Sequence, residues 1–518
     1  MRIVGIILVL MSLPVFVTWL KGHPGRHKWA YAAVGILPFT INAINLDAAL
    51  ISWAAWTGYA KGIIITLLDT LALALIAVNR SSLRKLPFLS LVVVYLLAVT
   101  LSLVFSSLAM SSSFYAFQIV RMLILFVAVA SFVGRPGALR WLAYGLAGGA
   151  IFQALVSVNQ ILSGSIQASG TMGHQNLLGL MLHFVTIPLM ALMLAGERHK
   201  LIAVGVLAGL VSVAFGASRG SVGFAAIGVC ILVALSLLRR TSGHKWKIVG
   251  VGALALILIA PVAMNSFERR FEDRPLHEGA YDERAAFERA ARLMWTEHPM
   301  GVGANQYVVA ANTGGYSERA GVVWTYGSRS AKVHNMYLLV AAETGWLGLL
   351  SLLALLVWPV CRGLRFAFRD RRDPRGDMVL GATVAIMTCA AHGFYEWVFV
   401  TYQAQYMFAI ALGIIAGLIR QGEREARQAF NDRAYAPKRS KSLVQAVRCP
   451  ERDQWPLRIE AGKGRPLDFA VEEFAGQKRD HRNQKRGGDW RNGGQDWKDR
   501  CGLHDKGDDQ DVNQVNGI

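Results

Sequence analysis

The sequence predicts an all-α, polytopic integral membrane protein with about 12–13 transmembrane helices, one long helical outer loop and a disordered C-terminal tail. The 518 residues are 53% hydrophobic and only 17% charged, whereas soluble domains carry about 25% charged residues. Apolar runs of about 18 to 25 residues recur along the chain, and each can cross a hydrocarbon core of roughly 30 Å as a helix. The runs are continuous and do not alternate, which favours helices over a β-barrel.

About thirteen candidate spans follow from these runs. They are residues 2–20, 30–56, 62–78, 88–108, 114–133, 140–161, 175–194, 201–217, 221–238, 248–264, 335–358, 377–396 and 404–419. The second run is overlong and contains Pro38, Asn42, Asn45 and Asp47. Proline and polar side chains interrupt membrane helices, so this run is expected to be broken or re-entrant.

The lysine and arginine residues predict the orientation, because short basic loops remain in the cytoplasm. One alternate set of loops is rich in these residues, as in the loop after Arg239 and the loop from Arg362 to Arg375. The other set of short loops holds only Lys61 and Arg219. The second set is therefore predicted to face outward. This topology accounts for the net charge of +20, and no binding of nucleic acid is expected.

Two segments lie outside the predicted membrane region. Residues 265–333 form one long outer loop, in which YDERAAFERAARLMWTEHPMGVG predicts an amphipathic helix that ends near Pro299. The residues expected on one face of this helix are Arg284, Phe287, Glu288, Ala291, Trp295 and His298. Residues 421–518 are polar, glycine-rich and aperiodic, which predicts a disordered cytoplasmic tail.

Two arginines on the outer side are candidate ligands for an anion. Arg219 lies among small residues in FGASRGSVGF, between two spans. Guanidinium groups bind phosphate oxygens in a fork, and small neighbours let a ligand approach closely. The alternative is an arginine that reaches lipid headgroups. Arg284 on the loop helix is open to the same binding role, or else it is a solvated residue or a partner of Glu288.

The stretch SAKVHNMYLLVAAETGWLGLL places His334 and Asn335 at the mouth of a span. Histidine titrates near neutrality and can act as a general base. The alternative is a polar helix start at the level of the headgroups. Glu343 lies further inside the same span, where a carboxylate is costly and packs inward. No cluster of Cys and His has the spacing of a metal site, so no metal and no cofactor are predicted.

In combination these motifs are more specific than any one of them. ASRG at the end of one helix, ERAAFERAARLMWTEHPMGVG in the long outer loop and HNMYLLVAAETGWLG at the next span resemble the O-antigen ligase/polymerase superfamily of membrane glycosyltransferases. The resemblance covers about residues 60–420. The upstream segment SGTMGHQNLLGLML, with His174 and Asn176, is similar to a glycine–asparagine segment of the same family.

The resemblance implies a membrane glycosyltransferase domain over residues 1–420, with residues 265–333 as its periplasmic loop, in the bacterial inner membrane. Its donor would be an undecaprenyl-diphosphate-linked glycan, and its acceptor lipid A–core or another glycan. Arg219 and Arg284 would bind the donor diphosphate, and His334 would activate the acceptor hydroxyl without a metal. Supporting roles are implied for the remaining candidates: Asn335, Glu343, His298, Asn176 and His174.

Several functions remain open from the sequence. Ligation of O-antigen to lipid A–core ranks first and polymerisation second, followed by transfer to a protein hydroxyl. A transporter or flippase is a competing class, because polar side chains in the spans can relay protons. Those side chains are Asp69, Arg121, His183, His392 and Glu396. A purely structural scaffold would leave the outer arginines and His334 without a shared purpose.

Overall fold

The computed structural model describes residues 2–40, 46–79, 86–254 and 282–434. Helices and one two-stranded sheet make up the regular structure of these residues. The helices are α1 (Arg2–Gly22), α2 (His27–Ile36), α3 (Leu67–Asn79), α4 (Leu89–Leu101), α5 (Ala109–Phe132), α6 (Ala138–Leu162), α7 (Gln175–Ala195), α8 (Lys200–Phe215), α9 (Arg219–Arg239), α10 (243–254), α11 (Glu283–Glu297), α12 (Tyr307–Thr313), α13 (Tyr316–Arg319), α14 (Tyr326–Ser330), α15 (Met336–Arg369), α16 (Arg375–His392) and α17 (Tyr402–Ala434). The strands are β1 (Asp47–Ser52) and β2 (Gly62–Thr66).

The predicted class, an all-α polytopic membrane protein, is confirmed. Seven described helices are long and apolar enough to cross a membrane, namely α1, α5, α6, α7, α9, α15 and α17, and α3, α4 and α8 are shorter apolar helices. The helical content of the predicted outer loop is present as α11 to α14. Residues 255–281 and 435–518, which include most of the predicted tail, lie outside the described residues, while residues 421–434 continue α17.

The predicted span 30–56 is not one helix. α2 ends at Ile36, a 3-10 turn follows around Pro38, and β1 begins at Asp47. β1 pairs antiparallel with β2, in a register that places Asp47 opposite Thr66. The isoleucine-rich β2 occupies the start of the predicted span 62–78, so α3 begins only at Leu67. Isoleucine favours strands, and a short apolar run cannot by itself separate strand from helix.

Helices α7 and α17 form the centre of the bundle and are buried over most of their length. α7 packs against α8, α9 and α16, while α17 packs against α5 and α16. A buried ion pair joins α3, α5 and α17, since Arg121 of α5 lies 2.9 Å from Asp69 of α3 and also donates to the Tyr406 hydroxyl of α17. Two of the polar groups that suggested a proton path are therefore partners of each other.

Helix α15 is broken near its start, and a segment of the outer loop is paired with the break. Gly345 has φ 63° and ψ −161°, which is not helical. The backbone of the loop supplies the hydrogen bonds that the break removes: Trp346 N donates to Pro299 O at 3.1 Å, and Gly303 N donates to Glu343 O at 2.9 Å. These bonds satisfy backbone groups that would otherwise be buried without partners.

The Glu343 carboxylate fixes the same junction from its side chain. It accepts hydrogen bonds from the backbone N–H groups of Asn305 and Tyr307, at 2.8 and 2.9 Å, and from the Tyr59 hydroxyl. Glu343 is 1% exposed, so these three donors offset the cost of burying a carboxylate. The glutamate thus joins α15, the outer loop and the loop between β1 and β2.

Gly345→Ala is expected to destabilise the protein. A Cβ at this position would lie 2.3 Å from Pro299 O, and the positive φ alone costs a residue with a side chain about 1–3 kcal/mol. The thermal unfolding midpoint of the purified protein in detergent, followed by intrinsic fluorescence, measures the effect.

Gly327→Ala is the matched control, because nothing lies within 4 Å of its Cβ position in the short helix α14. It should change the free energy of unfolding by no more than about 0.5 kcal/mol. Equal midpoints for the two variants would contradict the role assigned to the break.

Candidate active site

Four of the predicted site residues gather at one end of the bundle. A cavity of about 750 Å³ opens there, and its lining includes Asn176, Arg219, Phe224, Arg284, Tyr395 and Glu396. These residues come from the first two turns of α7, α9 and α11 and from the segment after α16. His334 stands next to the cavity through its bond to Glu396.

Glu396 is the centre of this arrangement. Its side chain is 5% exposed. Its Oε1 atom accepts from Asn176 Nδ2 at 2.5 Å and from Arg284 Nη2 at 3.4 Å, while its Oε2 atom lies 3.2 Å from His334 Nδ1. The two oxygens therefore face different partners, and one carboxylate holds residues that are far apart in the sequence.

The bond to Glu396 sets the chemistry of His334. An ionised carboxylate only accepts hydrogen bonds, so the proton of a neutral imidazole must lie on Nδ1. The lone pair is then on Nε2, where it can accept a proton from a ligand. The ring also lies nearly parallel to that of Phe287 in α11, with centroids 6.4 Å apart. Asn335 has a different role, since its Oδ1 accepts from the N–H groups of Tyr337 and Leu338 and caps α15.

Positive charge dominates the cavity. Arg219 is the first residue of α9, and the Ser218 side chain caps that helix by accepting from Ser221 N at 3.3 Å. α7 also begins at the cavity wall, where His174 Nδ1 accepts from Asn176 N at 3.2 Å. The N-terminus of a helix carries a partial positive charge and exposes N–H groups. The N-termini of α7 and α9 and the guanidinium groups of Arg219 and Arg284 therefore all lie at the cavity.

His174 lies within electrostatic reach of the same cluster. Burial lowers the pKa of its ring, the Glu396 carboxylate raises it in part, and His334 lowers it again. The net direction keeps His174 neutral at physiological pH, which suits its role as a hydrogen-bond acceptor at the start of α7. His174 and Asn176 thus shape the wall of the cavity together.

Two of the predicted supporting residues are held elsewhere. His298 Nε2 lies 3.0 Å from the Tyr316 hydroxyl, inside the outer loop. Glu343 binds the junction of the loop with α15, as described above. Both therefore position the loop and do not line the cavity. Among the described residues, no group of three or more His, Cys, Asp or Glu side chains is placed to hold a metal ion.

Glu396 is a site residue that the sequence motifs do not predict. From the sequence it is an intramembrane carboxylate, four positions after His392. In the described structure no hydrogen bond joins those two side chains; the His392 ring instead stacks on Phe224 at 5.0 Å. Glu396 follows His334 by 62 positions, and no local pattern connects them. The only feature of the sequence that could have indicated Glu396 as a site residue is its place as a carboxylate among aromatic residues, in HGFYEWVFV.

The fold and the site together define a multi-pass membrane protein with a cationic cavity at one end of its helix bundle. A family model described as O-Antigen ligase matches residues 183–353 of the chain. Residues 183–353 are therefore similar to the O-antigen ligase family, as the motifs indicated. The match includes Arg219, Arg284 and His334, whereas Asn176 and Glu396 lie outside it. No curated protein sequence matches the chain.

This similarity indicates a class of function. The matched family points to glycan transfer of the ligase or polymerase type in a bacterial membrane, with a polyprenyl-linked glycan and a lipid acceptor as its kind of substrates. The specific reaction does not follow from this similarity.

Glu396→Ala is expected to destabilise the protein by about 1–3 kcal/mol, because Asn176 and His334 would lose the acceptor for a buried or half-buried donor. Thermal unfolding in detergent measures this loss.

Glu288→Ala provides the comparison. Glu288 forms an exposed i,i+4 pair with Arg292, and such a pair contributes only about 0.3–0.5 kcal/mol. A loss at Glu396 no greater than that at Glu288 would show that the cluster does not depend on this carboxylate.

Proposed function

We propose that the protein transfers a glycan from undecaprenyl diphosphate to an acceptor hydroxyl at the periplasmic face of the inner membrane, with lipid A–core as the first-ranked acceptor. The observation that carries this proposal is the placement of Arg219 and Arg284 on one cavity whose inner carboxylate, Glu396, also binds His334. One space thus combines groups that bind an anion with a group that accepts a proton.

The cavity has a polar part that suits a diphosphate and an apolar part that suits a lipid chain. Its polar part contains the two arginines and the first turns of α7 and α9. Its apolar part contains Phe224 and Ile227 of α9, a helix whose membrane span is mostly exposed. A diphosphate would bind the arginines, and the polyprenyl chain would follow the exposed face of α9 into the bilayer.

The chemistry follows from these positions. Nε2 of His334 takes the proton of the acceptor hydroxyl while its oxygen attacks the anomeric carbon of the donor sugar. The bond from that carbon to the diphosphate breaks, and Arg219 and Arg284 stabilise the charge that develops on the leaving group. Glu396 acts through His334 as a positioning residue. Attack from the face opposite the diphosphate would invert the anomeric carbon.

The basic residues at the other end of the bundle support the orientation. Arg239 ends α9 and lies 2.6 Å from Asp377 at the start of α16. The arginine-rich loop after α15 lies beside this pair, since Arg239 Nη2 donates to Asp370 O at 3.2 Å. Basic short loops remain in the cytoplasm, so the cavity at the opposite end would face the periplasm.

The three proposed residues can be tested by substitution. Arg219→Ala and Arg284→Ala are each expected to lower kcat/KM for glycan transfer about 10²–10³-fold, because each removes a charge that stabilises the leaving group. His334→Ala should lower it about 10²–10⁴-fold. The measurement is transfer by the purified protein from a lipid-linked glycan to rough lipopolysaccharide.

Arg292→Ala is the control, since Arg292 is an exposed arginine of the same loop helix. In a deletion strain, loss of lipid A–core attachment with accumulation of long lipid-linked chains supports ligation. Accumulation of single lipid-linked repeats makes the protein a polymerase. Surface glycans unchanged by deletion of the gene would refute both assignments.

Transfer is expected to continue in EDTA, because guanidinium groups and helix N-termini provide the positive charge that other transferases take from a divalent cation. The rate in EDTA is compared with the rate in the magnesium-saturated chelator. A rate that falls in EDTA and recovers with magnesium would show that a metal takes part.

A further inference from the structure

Two further cations, Lys61 and Lys332, lie outside the cavity. Lys61 is one of the two basic residues that the sequence places in the short outer loops, and the donor site explains only the other, Arg219. Neither Lys61 nor Lys332 lines the cavity.

Lys332 is fixed beside His334 by three contacts between two segments. Met336 N donates to Gly393 O at 2.7 Å, and His334 Nδ1 lies 3.2 Å from Glu396 Oε2. The Lys332 ammonium lies over the ring of Trp397, 5.0 Å from its centroid. The residue numbers fall along one segment as they rise along the other, so the two segments run antiparallel. Lys332 therefore lies beside the contact between His334 and Glu396, over the ring of Trp397.

Lys61 reaches the same region through the loop between β1 and β2. The side chain of Asn305 bonds both backbone groups of the neighbouring Ala60, with Ala60 N donating to Oδ1 at 3.1 Å and Nδ2 donating to Ala60 O at 2.7 Å. Asn305 N is bound in turn to Glu343. The charge of Lys61 consequently acts on Lys332: burial lowers the pKa of the Lys332 ammonium, Lys61 lowers it further, and Glu343 opposes both.

The described part of the chain supplies the Lys332 ammonium with an aromatic ring but with no carboxylate within ion-pair distance. A half-buried cation beside a like charge is unfavourable unless an anion joins it. Lysine is a common ligand of phosphate, which it binds as a point charge. An aromatic ring beside it offers a surface for a sugar.

We propose that Lys61 and Lys332 bind a phosphate group of the acceptor, next to the hydroxyl that His334 deprotonates. This inference rests on the proposed function and adds the chemical class of the acceptor, a phosphorylated glycolipid. The donor diphosphate and the acceptor phosphate would then occupy separate cationic sites next to the pair formed by His334 and Glu396.

The test measures binding without donor, so it does not depend on transfer. Purified protein in phosphatidylcholine nanodiscs is titrated with rough lipopolysaccharide and with the same material dephosphorylated by hydrofluoric acid. The wild type is expected to bind the dephosphorylated form about tenfold more weakly, a change of about 1.4 kcal/mol. Lys332→Gln and Lys61→Gln should bind both forms equally weakly, whereas Lys332→Arg and the distant control Lys200→Gln should keep the preference.

Three outcomes would overturn the inference. One is a wild type with no preference for phosphate, and another is a glutamine variant that keeps the preference. The third is a preference that disappears in the wild type when phosphatidylglycerol is added, because the lysines would then bind phospholipid headgroups. None of these outcomes bears on the transfer assay with Arg219, Arg284 and His334, so failure of this inference is distinguishable from failure of the proposed function.

Discussion

The site depends on the hydrogen bonds that the Glu396 carboxylate accepts. This carboxylate is buried at the end of the helix bundle, and its three donors come from α7, from α11 and from the residue before the cap of α15. A buried carboxylate without donors is strongly unfavourable, so these elements are held together by a common requirement for hydrogen bonds. The same requirement orients the ring of His334 and faces Arg284 toward the cavity. The positions of His334 and Arg284 are therefore linked through one side chain.

A second constraint keeps that arrangement in register. The break at Gly345 would leave backbone groups unpaired inside α15, and the segment Pro299–Gly303 of the outer loop pairs with them. α11 precedes this segment directly, so the break fixes the helix that carries Arg284. The first turns of α15 lie between the break and His334. Two motifs that are distant in the sequence, HPMGVG and ETG, are thus two halves of one junction.

The sequence predicted those features that depend on local pattern. Long apolar runs gave α7, α9 and α17, and the face shared by Phe287 and Ala291 predicted α11, in which both residues are buried. The hairpin was missed because isoleucine-rich strands and apolar helices have the same hydropathy. Glu396 was missed for another reason: its partners are set by tertiary packing, and nothing in the neighbouring residues specifies them. From the sequence, Asn335 could support the site or simply begin a helix, since a polar side chain suits both roles. Its hydrogen bonds to the first N–H groups of α15 identify it as the helix cap.

Charge at the cavity end supports the proposed arrangement of two substrates. A lipid diphosphate and a phosphorylated acceptor repel each other, and two unit charges about 4 Å apart interact by about 4 kcal/mol at an effective dielectric constant of 20. A transferase must nevertheless bring the acceptor hydroxyl to the carbon that bears the diphosphate. Arg284 donates to the Oε1 atom of Glu396 and lines the cavity together with Arg219. His334 binds the Oε2 atom, and the Lys332 ammonium lies over the ring of Trp397, the residue after Glu396. In the proposed arrangement the donor diphosphate would bind the two arginines and the acceptor phosphate would bind Lys332. The acceptor hydroxyl and the anomeric carbon would then meet at His334. The basic residues that break the positive-inside pattern would then be retained because both substrates are anionic.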